Sequence, residues 1–169
     1  MKATIFAIGV SVGKDTYKET NVPMFPHFND GQMKEMTDSG VISVQSHTFD
    51  MHQSEAYDTE SYRKGVLQKD GESEEDYMEA LRADFMQSKT QIEAATGKGV
   101  NVFSYPNGLY STLSEVLLKE MGVEVTLTTQ SGVSTIVKGL PQSLLQLKRL
   151  TITDEISPEE LLEMLEGNG

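Results

Sequence analysis

The chain has 169 residues, of which 37% are hydrophobic and 24% charged, a balance that fits one globular domain over residues 1–169 with a real core. Its net charge of −12 argues against nucleic acid or an anionic membrane surface as a partner, because both attract basic patches. The lack of cysteine excludes disulfides and thiolate metal sites, and no apolar run approaches the roughly 18 residues of a membrane span.

The first half of the chain alternates between strand-like and helix-like segments. Residues 3–10 are almost continuously apolar, which predicts a strand covered on both faces, and the run is too short for a signal peptide. After an irregular stretch with two prolines, the spacing of methionines predicts a short helix over residues 29–40. Residues 41–46 predict a second strand, which ends directly before His47.

The strongest helix signal follows an acidic, irregular segment. Ser73 is a typical N-cap with Asp76 three residues later, and Gly97 is a typical helix end. Between them, residues at helical spacing form one face that we expect to be buried: Tyr77, Leu81, Phe85, Ser88, Ile92 and Ala95.

The second half repeats the alternation. Strands are predicted over residues 100–106, 123–129 and 148–152, with a helix over residues 111–122 between the first two. In that helix the residues expected to face inward are Leu113, Val116, Leu117 and Met121. Residues 157–165 predict a last helix, because its Ser-Pro-Glu-Glu opening combines an N-cap, a proline at the first position and a capping glutamate.

This order of elements predicts an α/β fold with a parallel sheet, either open or closed into a barrel. In both arrangements ligand sites gather at the carboxyl ends of the strands. His47 stands at such an end, and so does the SYPNG turn of residues 104–108. The two segments with the most suggestive chemistry are therefore expected on one rim of the sheet.

The segment SHTFDMH holds two of the three histidines in the chain, His47 and His52. Residues five apart on a helix point about 140° away from each other, so only a strand end followed by a tight loop can bring both to one ion. Imidazoles suit zinc and other first-row metals, but two of them do not complete a site. From the residues alone, a metal site and a pair of rim histidines bonded to backbone carbonyls both remain open. His27, between a proline and a phenylalanine, is interpreted as a loop residue.

Three segments in this order and spacing, KATIFAIG, SGVISVQSHTFDMH and VNVFSYPNGLYS, resemble the NodB-homology polysaccharide deacetylases, also called carbohydrate esterase family 4. The resemblance covers nearly the whole chain. The longer spacing between the histidines looks more like the bacterial poly-N-acetylglucosamine deacetylases. The fold that this resemblance implies is a distorted (β/α) barrel.

The resemblance also implies an activity and a site. Members hydrolyse N-acetyl groups of polysaccharides in the cell envelope or outside it, using a divalent metal, most often zinc, held by an aspartate and two histidines. By residue match the histidine ligands are His47 and His52. The matching substrate groove is Tyr105, Pro106, Asn107 and Gly108, and the backbone N–H of Asn107 would bind the developing oxyanion.

The chain also departs from the family pattern. The T-F-D-D-G motif, which carries the base and the metal-binding aspartate, belongs to a strand before residues 3–10, so we expect the first strand and helix of the barrel, about 30 residues, to be missing. HFNDG at residues 27–31 is rejected as a substitute because it lies in a loop after the strand of residues 3–10, with no apolar run directly before it. Where a leucine-x-histidine motif is expected, the chain has Lys148 and Arg149. The catalytic acid and base are therefore unassigned.

These departures leave alternatives to the enzyme. One is a carbohydrate-binding relative that retains a groove with Tyr105 and Tyr110, and another is a metal-binding relative without turnover. A barrel lacking a strand also has an exposed sheet edge, which invites pairing. We therefore expect a homodimer through this edge, or a rearranged terminus that covers it.

Overall fold

Residues 2–166, the part of the chain that the structure, a computed structural model, describes, form five strands and four helices, which alternate except between the fourth and fifth strands. The strands are β1 (Ala3–Ala7), β2 (Ile42–Ser46), β3 (Val102–Ser104), β4 (Val125–Ser131) and β5 (Leu147–Arg149). The helices are α1 (Asp30–Asp38), α2 (Glu74–Thr96), α3 (Thr112–Glu120) and α4 (Pro158–Leu165). Short 3-10 turns lie at Gly9–Ser11, Pro106–Gly108 and Pro141–Leu144.

The strands form one parallel sheet in the order β1-β2-β3-β4-β5, so each crossover advances by one strand in the same direction. Right-handed crossovers of this kind place their helices on one face, and α2 indeed packs against both α1 and α3. The predicted α/β fold with a parallel sheet is confirmed. All five carboxyl ends lie along the same edge of the sheet, where the candidate site is found.

The core lies between the sheet and α2. Phe85 of α2 meets Phe103 of β3 edge to face, with ring centroids 5.9 Å apart, and both side chains are fully buried. One polar contact crosses the same interface, where the Ser46 and Ser88 hydroxyls lie 2.8 Å apart. This contact satisfies two buried hydroxyls and ties the end of β2 to the middle of α2.

The helix boundaries follow the predicted caps. Ser73, Ser111 and Ser157 each accept a backbone N–H from the first turn of α2, α3 and α4. Residues 27–31, rejected above as a catalytic motif, supply the Asn29 capping box that starts α1. None of the described helices combines the length and the apolar character needed to cross a membrane.

Several local predictions were wrong. The strands predicted over residues 100–106 and 148–152 occupy only Val102–Ser104 and Leu147–Arg149. The first strand ends at Ala7 rather than at residue 10, because Gly9 and Val10 leave the sheet and bond the loop after β2. In α3 the Val116 side chain is 47% exposed and Leu118 is buried instead. The residues of α3 next to Val116 pack against α2 and β4, so the buried face is rotated from the predicted one.

β1 is an edge strand with an unpaired outer side among the described residues. Ala3 donates to Val41, and Ala7 accepts from His47, so the odd-numbered residues of β1 bond β2. In a parallel ladder the residues between them direct their N–H and C=O groups away from that neighbour. Thr4 and Phe6 therefore present a pairing edge.

We predict that the purified chain forms a dimer through β1. Thr4→Pro removes an outward N–H donor without touching the β1–β2 ladder, so it should weaken the dimer at least several-fold. Light scattering across a concentration series measures this, with Thr4→Ala as the control that keeps the donor. A wild-type chain that stays monomeric at high concentration contradicts the prediction.

Candidate functional site

His47 is fixed at the carboxyl end of β2 by two bonds. Its backbone N–H donates to Ala7 at 2.9 Å, and its ring Nδ1–H donates to the Ser104 carbonyl at 2.6 Å. Because a carbonyl only accepts, the proton sits on Nδ1 and the Nε2 lone pair is available, as in metal-ligating histidines. Burial lowers the pKa of His47 to about 4, against the opposing effect of the Ser104 carbonyl. The ring is therefore neutral near pH 7.

His52 lies beside His47. The two ring centroids are 5.0 Å apart, with the ring planes at 44°. The loop between them turns at Thr48, whose φ of 80° is unusual for a β-branched residue. The structure thus brings the two predicted histidines together through a tight loop after a strand. His27 does not join them and bonds the Phe25 carbonyl within its own loop.

The backbone of this loop is held on one side by the turn that follows β1. Gly9 donates to the Thr48 carbonyl at 3.0 Å, and Val10 donates to the Phe49 carbonyl at 2.9 Å. Gly9 is buried against the Phe49 ring, so a side chain at that position would overlap the ring. The early end of β1 is what makes these two bonds possible.

On the other side the loop is held by Asp84 of α2. One carboxylate oxygen accepts the Phe49 N–H at 2.8 Å, and the other accepts the Asp50 N–H at 2.7 Å. Burial raises the pKa of Asp84 to about 6, although the two N–H bonds favour the ionised form. Sequence reasoning missed this residue. Asp84 stands three residues after Leu81 and four before Ser88, and a carboxylate within that buried stripe was the available signal.

A cluster of charged and phenolic groups braces the segment after His52. Asp58 accepts from Lys18, from the Tyr17 hydroxyl and from the Ser54 N–H. Lys18 also pairs with Asp50 at 2.7 Å. Burial alone would raise the pKa of Asp58, but its bonds to Lys18 and Tyr17 outweigh this and hold the pKa below its usual range. The cluster therefore links the loop of residues 50–58 to the loop after β1.

The SYPNG turn lies next to the histidine pair, since Ser104 begins the turn and accepts the His47 ring proton. Asn107 is exposed, with φ of 56°, and the hydrogen bonds of the turn come from Gly108 and Leu109 rather than from its N–H. The Tyr105 side chain is 0% exposed, so the structure assigns it to the core and not to a groove. Pro106 is buried as well.

Tyr110 is the aromatic residue of this region that reaches the surface. Its ring stacks on Tyr105 at 5.1 Å, it is 37% exposed, and its hydroxyl bonds Gln146. A sugar could therefore stack on Tyr110 but not on Tyr105. The predicted aromatic pair is reduced to one accessible ring.

The end of β5 carries a cation where a histidine was expected. Arg149 is half-buried, its Nε donates to the Thr128 carbonyl at 2.7 Å, and its charge contributes to the low pKa of His47. Lys148 is exposed. The guanidinium is thus a permanent positive charge on the same rim as the histidines.

The fit of this site to a metal ion is partial. Two adjacent imidazoles suit zinc, and the orientation of His47 through a backbone carbonyl is typical of a ligand. Within residues 2–166, however, no group of three His, Cys, Asp or Glu residues is placed to hold an ion. The described chain therefore offers two candidate ligands and does not complete the usual three.

The family model for polysaccharide deacetylases matches residues 1–126, which include the histidine pair, Asp84 and the SYPNG turn. No curated protein matches the sequence. The match to the family agrees with the resemblance inferred from the three quoted segments.

Solved structures of deacetylases share the fold. A polysaccharide deacetylase from Bacillus cereus is 25% identical, with a TM-score of 0.66, and the match covers 96% of this chain and 41% of that one. A Streptococcus pyogenes deacetylase in complex with acetate is 23% identical, with a TM-score of 0.67 and coverage of 97% and 58%. A de-N-acetylase from Aggregatibacter actinomycetemcomitans is 18% identical, with a TM-score of 0.72 and coverage of 97% and 65%. The chain spans between about two fifths and two thirds of these structures.

We predict that the SYPNG turn depends on Gly108. Its φ is 69°, and an added Cβ would lie 2.6 Å from the Thr129 backbone nitrogen, so Gly108→Ala should destabilise the fold by about 2–4 kcal/mol from the positive φ and the overlap together. Gly71→Ala is the matched control, since its φ is 77° and nothing lies within 4 Å. The Gly71→Ala variant should lose only about 1 kcal/mol of unfolding free energy. Urea unfolding measures the free energy of unfolding of both variants, and equal losses of it would contradict the role of the overlap.

Proposed function

Because the chain belongs to the polysaccharide deacetylase family, we propose that it removes acetyl groups from an N-acetylated polysaccharide by hydrolysis. The observation that carries this proposal is the pair of histidines, His47 and His52, at the carboxyl rim within the matched residues. One of the solved structures with this fold is a de-N-acetylase, which favours an amide rather than an ester as the bond that is cleaved.

A divalent metal, with zinc as the first candidate, is part of the proposal. His47 and His52 would hold it, and a third position would have to be filled by a group beyond those of residues 2–166 or by the substrate or water. When bound, such an ion polarises the amide carbonyl and lowers the pKa of a bound water. The chain's own contribution is to present two adjacent imidazoles, His47 oriented by Ser104 and His52 by the loop of residues 48–50.

The SYPNG turn is the proposed substrate contact. Asn107 places its N–H at the exposed tip of the turn, where it could donate to the oxyanion that forms from the amide carbonyl. Gly108 and Tyr110 would line the same groove, with Tyr110 offering a ring face to a sugar. The acid that protonates the leaving amine and the base that activates water stay unassigned.

The proposed substrate class is a polymer of the cell envelope or an exopolysaccharide, and the proposed location is correspondingly secreted or envelope-bound. The net charge of −12 suits a neutral or cationic amino-sugar polymer better than an anionic one. It also disfavours nucleic acid as a partner.

A second candidate is a relative that binds carbohydrate or metal without turnover. The observations in its favour are the incomplete ligand set of the described residues and the presence of Arg149 where the family pattern has a histidine. This candidate keeps the groove and the histidine pair but releases no acetate.

We predict that the chain binds close to one zinc per molecule and that His47→Ala/His52→Ala abolishes this. Loss of both imidazoles removes every ligand that the proposal assigns, whereas His27→Ala, in a separate loop, should leave the zinc content unchanged. Mass spectrometry of the metal in the three purified proteins measures this. Zinc that persists in the double variant would show that the pair is not the site.

The same three proteins test turnover. Incubation with an N-acetylglucosamine oligomer should release acetate for the wild type and for His27→Ala, and the double variant should release none above background. Zinc bound through the pair without acetate release from the wild type supports the second candidate. No zinc and no acetate from the wild type would overturn the proposed function.

A further inference from the structure

The loop between the two histidines is not stable by itself. Thr48 adopts a φ of 80°, which β-branched residues rarely do, and its side-chain oxygen finds no hydrogen-bond partner among the described residues. A turn of this kind persists only where its surroundings hold it in place. The contacts that hold residues 48–50 therefore determine where His52 lies.

Asp84 is the only side chain that bonds the backbone of Phe49 and Asp50 among the contacts of residues 2–166. Both of its oxygens are used, each by one of two successive N–H groups, at 2.8 and 2.7 Å. Bonds of this kind to an ionised acceptor are about twice as strong as neutral ones. No ion pair of the described chain includes Asp84, so its carboxylate is committed to this turn.

The two histidines depend on Asp84 unequally. His47 is secured by the β1–β2 ladder and by its ring bond to Ser104, and Asp84 takes part in neither. His52 follows the turn directly, so its place depends on the turn as well as on the Asp58 cluster that holds the segment after it. A change at Asp84 should therefore displace the His52 ring and leave the His47 ring where it is.

We propose that Asp84 is a positioning residue for the histidine pair, holding the turn of residues 48–50 in the conformation that sets His52 beside His47. The inference rests on the proposed function only in its consequence for metal binding. Its geometric content, the placement of His52, stands without a metal.

The test compares Asp84→Asn with Glu93→Gln. Glu93 is the matched control because it lies on the same helix and its carboxylate also accepts a loop N–H, that of Val100 at 2.9 Å, but it makes no contact with the histidine loop. An asparagine retains one acceptor and turns an N–H₂ group towards the second backbone donor, so one of the two bonds to the turn is lost.

Zinc affinity by titration calorimetry is the first measurement. Asp84→Asn should weaken binding about 10- to 100-fold, the usual loss when a partner that orients a ligand is removed, and Glu93→Gln should change it less than twofold. Asp84→Glu, which keeps the charge and both acceptors, should recover part of the affinity and also serves if Asp84→Asn does not fold. Equal losses in Asp84→Asn and Glu93→Gln would mean that the effect is general destabilisation, which overturns the proposal.

Ring ¹⁵N chemical shifts of the metal-free proteins are the second measurement. In both Asp84 variants the His52 signals should move while those of His47 stay, and Glu93→Gln should leave both in place. Unchanged His52 signals in an Asp84 variant that folds overturn the positioning role. If the wild type binds no zinc, the metal proposal fails, and these shifts still decide the role of Asp84.

Discussion

The hydrogen bond from the His47 ring to the Ser104 carbonyl joins the carboxyl ends of two neighbouring parallel strands. It selects which ring nitrogen keeps the proton, and it anchors the SYPNG turn to the strand that carries the histidine. Its geometry requires β2 and β3 to be in the register that pairs Ser46 with Phe103. That register in turn depends on the packing of Phe103 and Ser46 against α2, through the Phe85 ring and the Ser88 hydroxyl. The geometry of the site therefore depends on the packing of the core beneath it.

α2 has two roles, and different residues of the helix carry them. Its apolar stripe, with Leu81, Phe85 and Ile92, fills the space above the sheet. Asp84, on the edge of the same stripe, reaches past the sheet end to the loop of residues 48–50. Placing a carboxylate there is costly, as its raised pKa shows, and the cost is offset by two short bonds to backbone donors that would otherwise be unpaired. Rigid support of this kind is what a two-histidine site needs when the connecting loop carries a strained residue.

The sequence was informative where structure is determined locally. The caps at Ser73, Ser111 and Ser157 and the stop at Gly97 are recorded in neighbouring residues, and these helix starts were predicted to the residue. The parallel order and the histidine pair on one rim followed from the alternation of elements. The features that the sequence could not predict depend on contacts between distant segments. They are the left-handed conformation of Thr48, the early end of β1 at Ala7 and the burial of Tyr105. The sequence around Tyr105 and Tyr110 does not show which of the two tyrosines is buried.

The order of the strands in the sheet also bears on the order in which parts of the chain can fold during synthesis. Because each crossover adds one strand next to the previous one, the contacts that place the histidine pair are all made by residues between Ala7 and Ser104. A chain that emerges from the ribosome with its N-terminus first has every one of these groups outside the ribosome before β4 emerges. The histidine loop can thus fold before β4 and β5 emerge, and these two strands then extend a sheet whose rim is already formed.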